Sequence, residues 1–187
     1  PVHNGHLSIA QQTREALGLD QILFIPTSHP PHKPHDSLAP VHHRYEMVRL
    51  AIASAPSLVI SDVEIRRPGK SYSIDTIRLL QQEYGAHTQL FFLIGLDAFL
   101  EFPSWRDPLT LLQLCSFVVL SRPGLSFRSV STISLLPPIP ASSLTDLDEG
   151  RISRIEVPLG KQQMTCLRLP PCAVSASDIR VRIRQGL

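Results

Sequence analysis

Short apolar runs, each closed by a proline, a serine or a glycine and each set beside a stretch of helical periodicity, constrain this chain more than any other feature. The runs are Ile22-Leu23-Phe24-Ile25 before Pro26, Leu58-Val59-Ile60 before Ser61, Gln89-Leu90-Phe91-Phe92-Leu93-Ile94 before Gly95, and Phe117-Val118-Val119-Leu120 before Ser121. Continuous apolar runs of this length read as strands covered on both faces. Between them the spacing is helical. Leu7, Ala10, Thr13 and Leu17 share a face over about residues 6–17, and Gly18 follows as a C-cap should. Met47, Val48, Ala51, Ile52 and Ala55 do the same over about 42–55, and Ile77, Leu80 and Tyr84 do so on a helix that Ser73 or Asp75 can cap. Further helices are predicted at about 109–114 and from Ser175 through Arg184, and further strands at about 152–157 and 165–169. Strands alternating with helices predict an α/β fold with a doubly wound parallel sheet.

Composition bounds the possibilities. A chain of 187 residues, 43% hydrophobic and 18% charged, reads as one globular domain over residues 1–187 with a substantial core. No apolar run of about 18 residues occurs and no Lys/Arg-led leader opens the chain, so no membrane partner is expected and the location expected is cytoplasmic. Cys115, Cys166 and Cys172 form no CxxC pair, which argues against both a disulfide framework and a zinc site. A formal charge of +2, with scattered basic residues, does not make a nucleic-acid footprint. Residues of about 123–150, rich in Ser and Pro around Pro137-Pro138-Ile139-Pro140, read as a mobile low-complexity insertion with no catalytic role.

The chemistry concentrates in two places. At His3-Asn4-Gly5-His6 a glycine lets backbone approach a ligand, a helix start offers unpaired N–H groups, and imidazoles three apart face the same way. That combination makes an anion site, and a phosphate is its natural guest. Of the eight histidines, His3, His6, His29, His32, His35, His42 and His43 lie in the first 43 residues. A metal would need acidic or thiolate company there, and the nearby acid is Asp36, so an anion pocket is the better reading. Ser175, Ser177 and Arg180 would make a second anion site, since helix N–H groups, hydroxyls and a guanidinium all donate to oxygen. Two such sites suit a nucleoside triphosphate. Lys33, in a loop rich in proline and histidine, can add a phosphate contact. Trp105, the one tryptophan, either packs in the core or stacks on a flat heteroaromatic ring, and Asp97, just past Gly95, either accepts from a ribose hydroxyl or caps a helix.

In order along the chain, PVHNGH, PPHKP, HHRYEM, EIRRPGKSYSIDT, FLIGLDAF, FPSW, VVLSRPG and VSASDIR resemble the bacterial nicotinate-nucleotide adenylyltransferases of the HxGH nucleotidyltransferase superfamily. HxGH marks the superfamily, whereas IRRPGxSYxIDT with FPxW looks specific to the nicotinate branch. The resemblance implies a Rossmann-like parallel sheet and a Mg²⁺-dependent reaction in which ATP and nicotinate mononucleotide give deamido-NAD and pyrophosphate. It implies that His3, Gly5, His6, Lys33, Ser175, Ser177 and Arg180 hold the ATP phosphates, His3 and His6 as catalytic residues that stabilise the pentacoordinate α-phosphorus and Arg180 as a catalytic residue that binds the triphosphate from the opposite side. Gly95 and Asp97 would face the nucleotide sugars. Trp105 would stack on the pyridine ring, and Tyr72, Ser73 and Thr76 would lie where the nicotinate carboxylate is recognised. Family members carry a strand and a GGTFD segment before PVH, so the chain is expected to be N-terminally truncated. Ala176 and Ser177 stand where serine-type residues and threonine are usual, and the Ser/Pro-rich segment has no assigned counterpart. A nicotinamide mononucleotide acceptor and a truncated, inactive nucleotide-binding fragment are the alternatives, and the oligomeric state is left open.

Overall fold

In a computed structural model that describes residues 1–31, 38–85, 87–172 and 174–186, the first helix, α1 (Asn4–Leu17), begins two residues earlier than its apolar spacing predicts. The cause is His3, which is extended (φ −154°, ψ 168°) and whose carbonyl accepts from the N–H groups of His6 and Leu7. Gly18 ends the helix in the left-handed region (φ 63°), where its N–H donates to the Arg14 carbonyl. The described residues group into two compact units, Pro1–Tyr72 with Cys172–Leu187, and Ser73–Pro171.

In the first unit, β1 (Ile22–Phe24) pairs in parallel with β2 (Leu58–Ile60), Leu23 opposite Val59. β1 ends one residue short of its apolar run, whereas β2 spans its run in full. Pro26 removes a donor just past β1, and a parallel pair needs a crossover, which α2 (Val41–Ala51) supplies. The predicted extension of α2 to residue 55 does not form; the helix stops at Ile52, which is buried, while Leu50 is exposed. A single turn, α3 (Val63–Arg66), follows, and the basic run after it bends at Gly69 (φ 84°).

The second unit starts with α4 (Ser73–Tyr84), which buries Ile74, Thr76, Ile77 and Leu80 but leaves Tyr84 exposed, so the predicted stripe ends a turn early. Strand β3 (Phe91–Gly95) runs straight into α5 (Leu96–Leu100); a 3₁₀ turn at Phe102–Ser104 and α6 (Pro108–Leu114) lead to β4 (Ser116–Leu120). A second 3₁₀ segment, Phe127–Thr132, precedes α7 (Ala141–Glu149), and β5 (Arg154–Leu159) and β6 (Gln162–Leu167) follow. The sheet order is β3-β4-β6-β5, with β3, β4 and β6 parallel. β5 departs from the predicted parallel arrangement and runs antiparallel to β6, because Gly160-Lys161 makes a two-residue connection, which can join strands only as a hairpin. All five residues of β4 are buried, and Phe117 packs on Phe92, Phe99 and Phe102 with ring centroids 5.4, 6.0 and 5.1 Å away. Burial pushes the Cys115 and Cys166 thiols up to about 12, and for Cys166 the Asp148 carboxylate adds to the effect, so both stay protonated. The chain ends with α8 (Ala176–Arg184), in the first unit.

The segment at about 123–150 is not the mobile insertion its composition predicts. Phe127, Val130, Ile133, Leu144 and Leu147 are all buried, at most 5% exposed. Asp148 ties the two halves together, accepting from the Phe127 N–H (2.7 Å), the Ser126 hydroxyl (2.5 Å) and the Arg128 N–H (3.3 Å). Apolar residues three apart on a 3₁₀ turn and one helical turn apart on α7 form a continuous packing face that the Ser and Pro content between them obscures. Among the described residues no helix is long and apolar enough to cross a membrane.

Candidate active site

In the first unit the anion site is built from the helix start upward. Because His3 is the extended N-cap of α1 and His6 its third residue, their rings come to the same side, centroids 3.8 Å apart and planes 35° from one another. His3 is half-buried and His6 exposed. No acidic residue occupies the first turn of α1, so the helix carries no carboxylate of its own against the positive end of its dipole. Gly5 is buried, and a β-carbon on it would lie 2.9 Å from Cε1 and Nδ1 of His3 and 3.1 Å from Sγ of Cys172. Its lack of a side chain is therefore what lets the His3 imidazole lie over the helix start. Gly5→Ala is expected to displace that ring and lower turnover by about tenfold or more, with little change in helix stability since alanine favours a helix. Steady-state rates set beside thermal unfolding of the variant check this; an unchanged rate removes the steric role.

Ser175 caps α8: its backbone is extended and its Oγ accepts from the Asp178 N–H at 3.1 Å. Ser177 and Arg180 are exposed on the first turns of the same helix, where the Arg180 guanidinium donates to the Ser177 Oγ at 3.1 Å. Hydroxyl and guanidinium are thus held together, one turn apart, at a helix N-terminus, a donor set suited to phosphate oxygens. Tyr72 is half-buried, and the preceding Ser71, which the sequence did not single out, holds His29 by two bonds: the Ser71 N–H donates to the His29 carbonyl, and the His29 N–H donates to the Ser71 Oγ. Lys33 lies outside the described residues.

In the second unit Gly95 closes β3 and serves as N-cap of α5, with Asp97 in that helix's first turn. A β-carbon on Gly95 would come within 2.5 Å of the Arg122 guanidinium, which pairs with Asp97 at 3.0 Å. Arg122, from the VVLSRPG segment, is a residue that sequence spacing could not connect to Asp97, because the two lie 25 positions apart. Ser73 is the first residue of α4 and half-buried, whereas Thr76 faces inward at 4% exposure. Trp105 is half-buried at the end of the 3₁₀ turn, braced edge-on by Phe92 (5.9 Å, 79°) and tilted against Phe102 (5.6 Å, 57°). The next residue, Arg106, pairs with Asp75 of α4 at 3.5 Å and so joins the Trp105 segment to the helix that Ser73 opens. Among the described residues no group of three or more His, Cys, Asp or Glu side chains could hold a metal ion. A divalent cation for nucleotidyl transfer fits this chain as part of the metal–triphosphate substrate.

A cytidylyltransferase-like family model matches residues 1–182. Over the full length of this chain, a probable nicotinate-nucleotide adenylyltransferase of Moorella thermoacetica is 36% identical and is itself 77% covered. The chain belongs to the nicotinate-nucleotide adenylyltransferase family. A Gloeobacter violaceus member of that family is 37% identical, with 80% of its length covered. A Geobacter metallireducens member reaches 47% identity over 70% of the chain, and the match spans 60% of that relative's length. The solved structure of Plasmodium falciparum nicotinic acid mononucleotide adenylyltransferase complexed with NaAD superposes with a TM-score of 0.66 over 97% of this chain and 78% of that one, at 16% identity. The adenylyltransferase fold is thus shared at a distance where the sequences have largely diverged; it is the α/β fold that the strand and helix alternation predicts, and Rossmann-like as the resemblance implies.

Proposed function

We propose that this chain transfers the AMP group of ATP to nicotinate mononucleotide, giving deamido-NAD and pyrophosphate, with Mg²⁺ carried on the ATP. The observation that carries the reading is the His3–His6 ring pair over Gly5 at the start of α1. A phosphate oxygen of the mononucleotide attacks the α-phosphorus of ATP, the bond from that phosphorus to the bridging oxygen breaks, and pyrophosphate leaves. No covalent enzyme intermediate is needed, so the protein's work is positioning and charge neutralisation. His3 and His6, with the N–H groups at Gly5, receive charge as it grows on the α-phosphoryl oxygens. Ser175, Ser177, Arg180 and Lys33 hold the outgoing phosphates, and Arg180 stabilises their charge at the transition state. Bound Mg²⁺ supplies neutralisation of the triphosphate before attack.

On the acceptor side, Trp105 stacks on the pyridine ring, with its own ring already oriented by Phe92 and Phe102. Tyr72, Ser73 and Thr76 serve recognition of the nicotinate carboxylate, an anion that the N–H groups at the start of α4 can receive. Gly95 and Asp97 serve the nucleotide sugars. The buried, protonated Cys115 and Cys166 suit a reducing, cytoplasmic compartment.

The test is pyrophosphate release by the protein with ATP and Mg²⁺, comparing nicotinate mononucleotide with its amide. Turnover that favours the acid supports the reading. Turnover that favours the amide transfers the assignment to nicotinamide mononucleotide, and silence with both acceptors leaves nucleotide binding alone.

A further inference from the structure

The ends of β3 and β4 are level. In their parallel register Gly95 stands opposite Leu120, so Asp97 and Arg122 each lie two residues past the same point of the sheet. Both backbones are anchored there. Leu96 and Phe99, on either side of Asp97 in α5, are fully buried. Ser121, just before Arg122, is tied to the end of β6 by three hydrogen bonds: its N–H donates to the Leu167 carbonyl (3.1 Å), its hydroxyl donates to the Leu169 carbonyl (3.2 Å), and the Leu169 N–H donates to its Oγ (3.0 Å). Between these fixed points the Arg122 Nε donates to Oδ1 of Asp97 at 3.0 Å, with 45% of the arginine side chain and 57% of the aspartate exposed. The pair lies over Gly95, where a β-carbon would collide with both partners. Among the described residues, Oδ2 of Asp97 accepts from no further group.

We propose that Arg122 is a positioning residue for the ribose of ATP: lying over Gly95, its guanidinium fixes Asp97 by one carboxylate oxygen and leaves the other to accept from a sugar hydroxyl. The inference rests on the sugar-binding role given to Gly95 and Asp97 above, and extends it to the residue that sets how sharply Asp97 tells a ribose from a deoxyribose. The place suits the role, because open α/β sheets bind ligands in the crevice outside the carboxyl ends of their parallel strands. The chemistry suits it too. A half-exposed aspartate without a partner is free to change rotamer, whereas one charge-assisted hydrogen bond from an anchored neighbour holds it in place before the ligand arrives. A hydroxyl that meets an acceptor already in place is discriminated from its absence more strongly than one that must order the acceptor first. Because the pair is half-exposed, its effect is modest and sensitive to salt.

The experiment compares the protein with its Arg122→Ala, Asp97→Ala and double variants, using ATP, 2′-deoxy-ATP or 3′-deoxy-ATP with Mg²⁺ and the preferred acceptor. Arg122→Ala is expected to lower kcat/KM for ATP roughly threefold to fivefold, the size a half-exposed pair supports, chiefly through KM. With the analogue that lacks the hydroxyl Asp97 receives, the loss should stay within about twofold, so the preference for ribose falls. In the Asp97→Ala background the same substitution should change kcat/KM by less than about twofold, because the group it positions is gone. Equal losses with ATP and both analogues would overturn the proposal. So would an undiminished loss in the Asp97→Ala background, which would make the guanidinium a direct contact of the nucleotide. Should Arg122→Ala lower the thermal midpoint by several degrees, Arg122→Gln, which keeps the stem of the side chain, is measured in its place. Asp97→Ala with parental kinetics on ATP would instead overturn the sugar assignment. Silence of the unsubstituted protein with both acceptors would overturn the reaction itself, and calorimetric dissociation constants for ATP and its two analogues would then judge the pair without turnover.

Discussion

His6→Ala is expected to lower the single-turnover rate by about two to three orders of magnitude while leaving the thermal unfolding midpoint nearly unchanged. The first half follows from what His6 offers: a ring 3.8 Å from that of His3, at a helix start with no acidic residue in its first turn. Removing one preorganised donor from a developing oxyanion costs ~2.7–4 kcal/mol of barrier in well-studied cases. The second half follows from burial. His6 is exposed, exposed substitutions away from special features stay within about 0.5 kcal/mol, and alanine is the better helix former. The lost contact with His3 is a surface contact and does not alter this balance. Rapid-quench kinetics beside a thermal melt make the comparison; parent and variant reacting at one rate would remove His6 from the chemistry. A melt lowered by several degrees would make it a folding residue instead.

Phe117→Ala should have the largest effect on stability, a loss of about 3–5 kcal/mol in urea unfolding. Phe117 is fully buried in β4 and touches Phe92, Phe99 and Phe102, the last two stacked on each other at 5.5 Å. Against a typical total of about 5–15 kcal/mol, that loss leaves the unit near its unfolding threshold. Phe117→Leu, which keeps most of the volume, should cost about 1.5 kcal/mol or less. The same cluster supports Trp105 through Phe92 and Phe102, so the alanine variant should also shift the tryptophan emission before global unfolding sets in. If the loss were below about 1 kcal/mol, the surrounding rings would have to collapse into the vacated space.

Where the signals were local, they could be read from the chain. Gly18 ends α1 in the left-handed conformation that its position predicts, and Ser175 caps α8 with its side chain on Asp178, the residue three ahead. The apolar runs of β1 to β4 stand within a residue or two of their expected places because buried strands carry their signal in a few consecutive residues. What escaped was non-local or unusual in period. Phe127, Val130 and Ile133 repeat every three residues, a 3₁₀ spacing easily lost among serines, and their anchor Asp148 is 21 positions from Phe127. β5 has the composition of one more parallel strand, and its direction is fixed by the two-residue turn that joins it to β6. The same holds for the candidate site. The His3–His6 and Ser177–Arg180 pairs are each three residues apart and visible as motifs, but Arg122–Asp97 and Arg106–Asp75 are made by the fold, and no spacing rule connects them.

The reversed direction of β5 also bears on how this sheet behaves at high concentration. A parallel edge strand with its amides and carbonyls open would be a template for another chain. β5 is a poor template: Pro158 lacks an N–H, and Arg154 and Glu156 are exposed on the strand and paired with each other at 3.4 Å. A strand arriving from a second molecule along this side would find a missing donor and would have to desolvate two charges. The hairpin therefore acts as a guard against sheet-to-sheet growth, and replacing its proline and its charges with threonine or valine would turn a protected border into a seed for fibres.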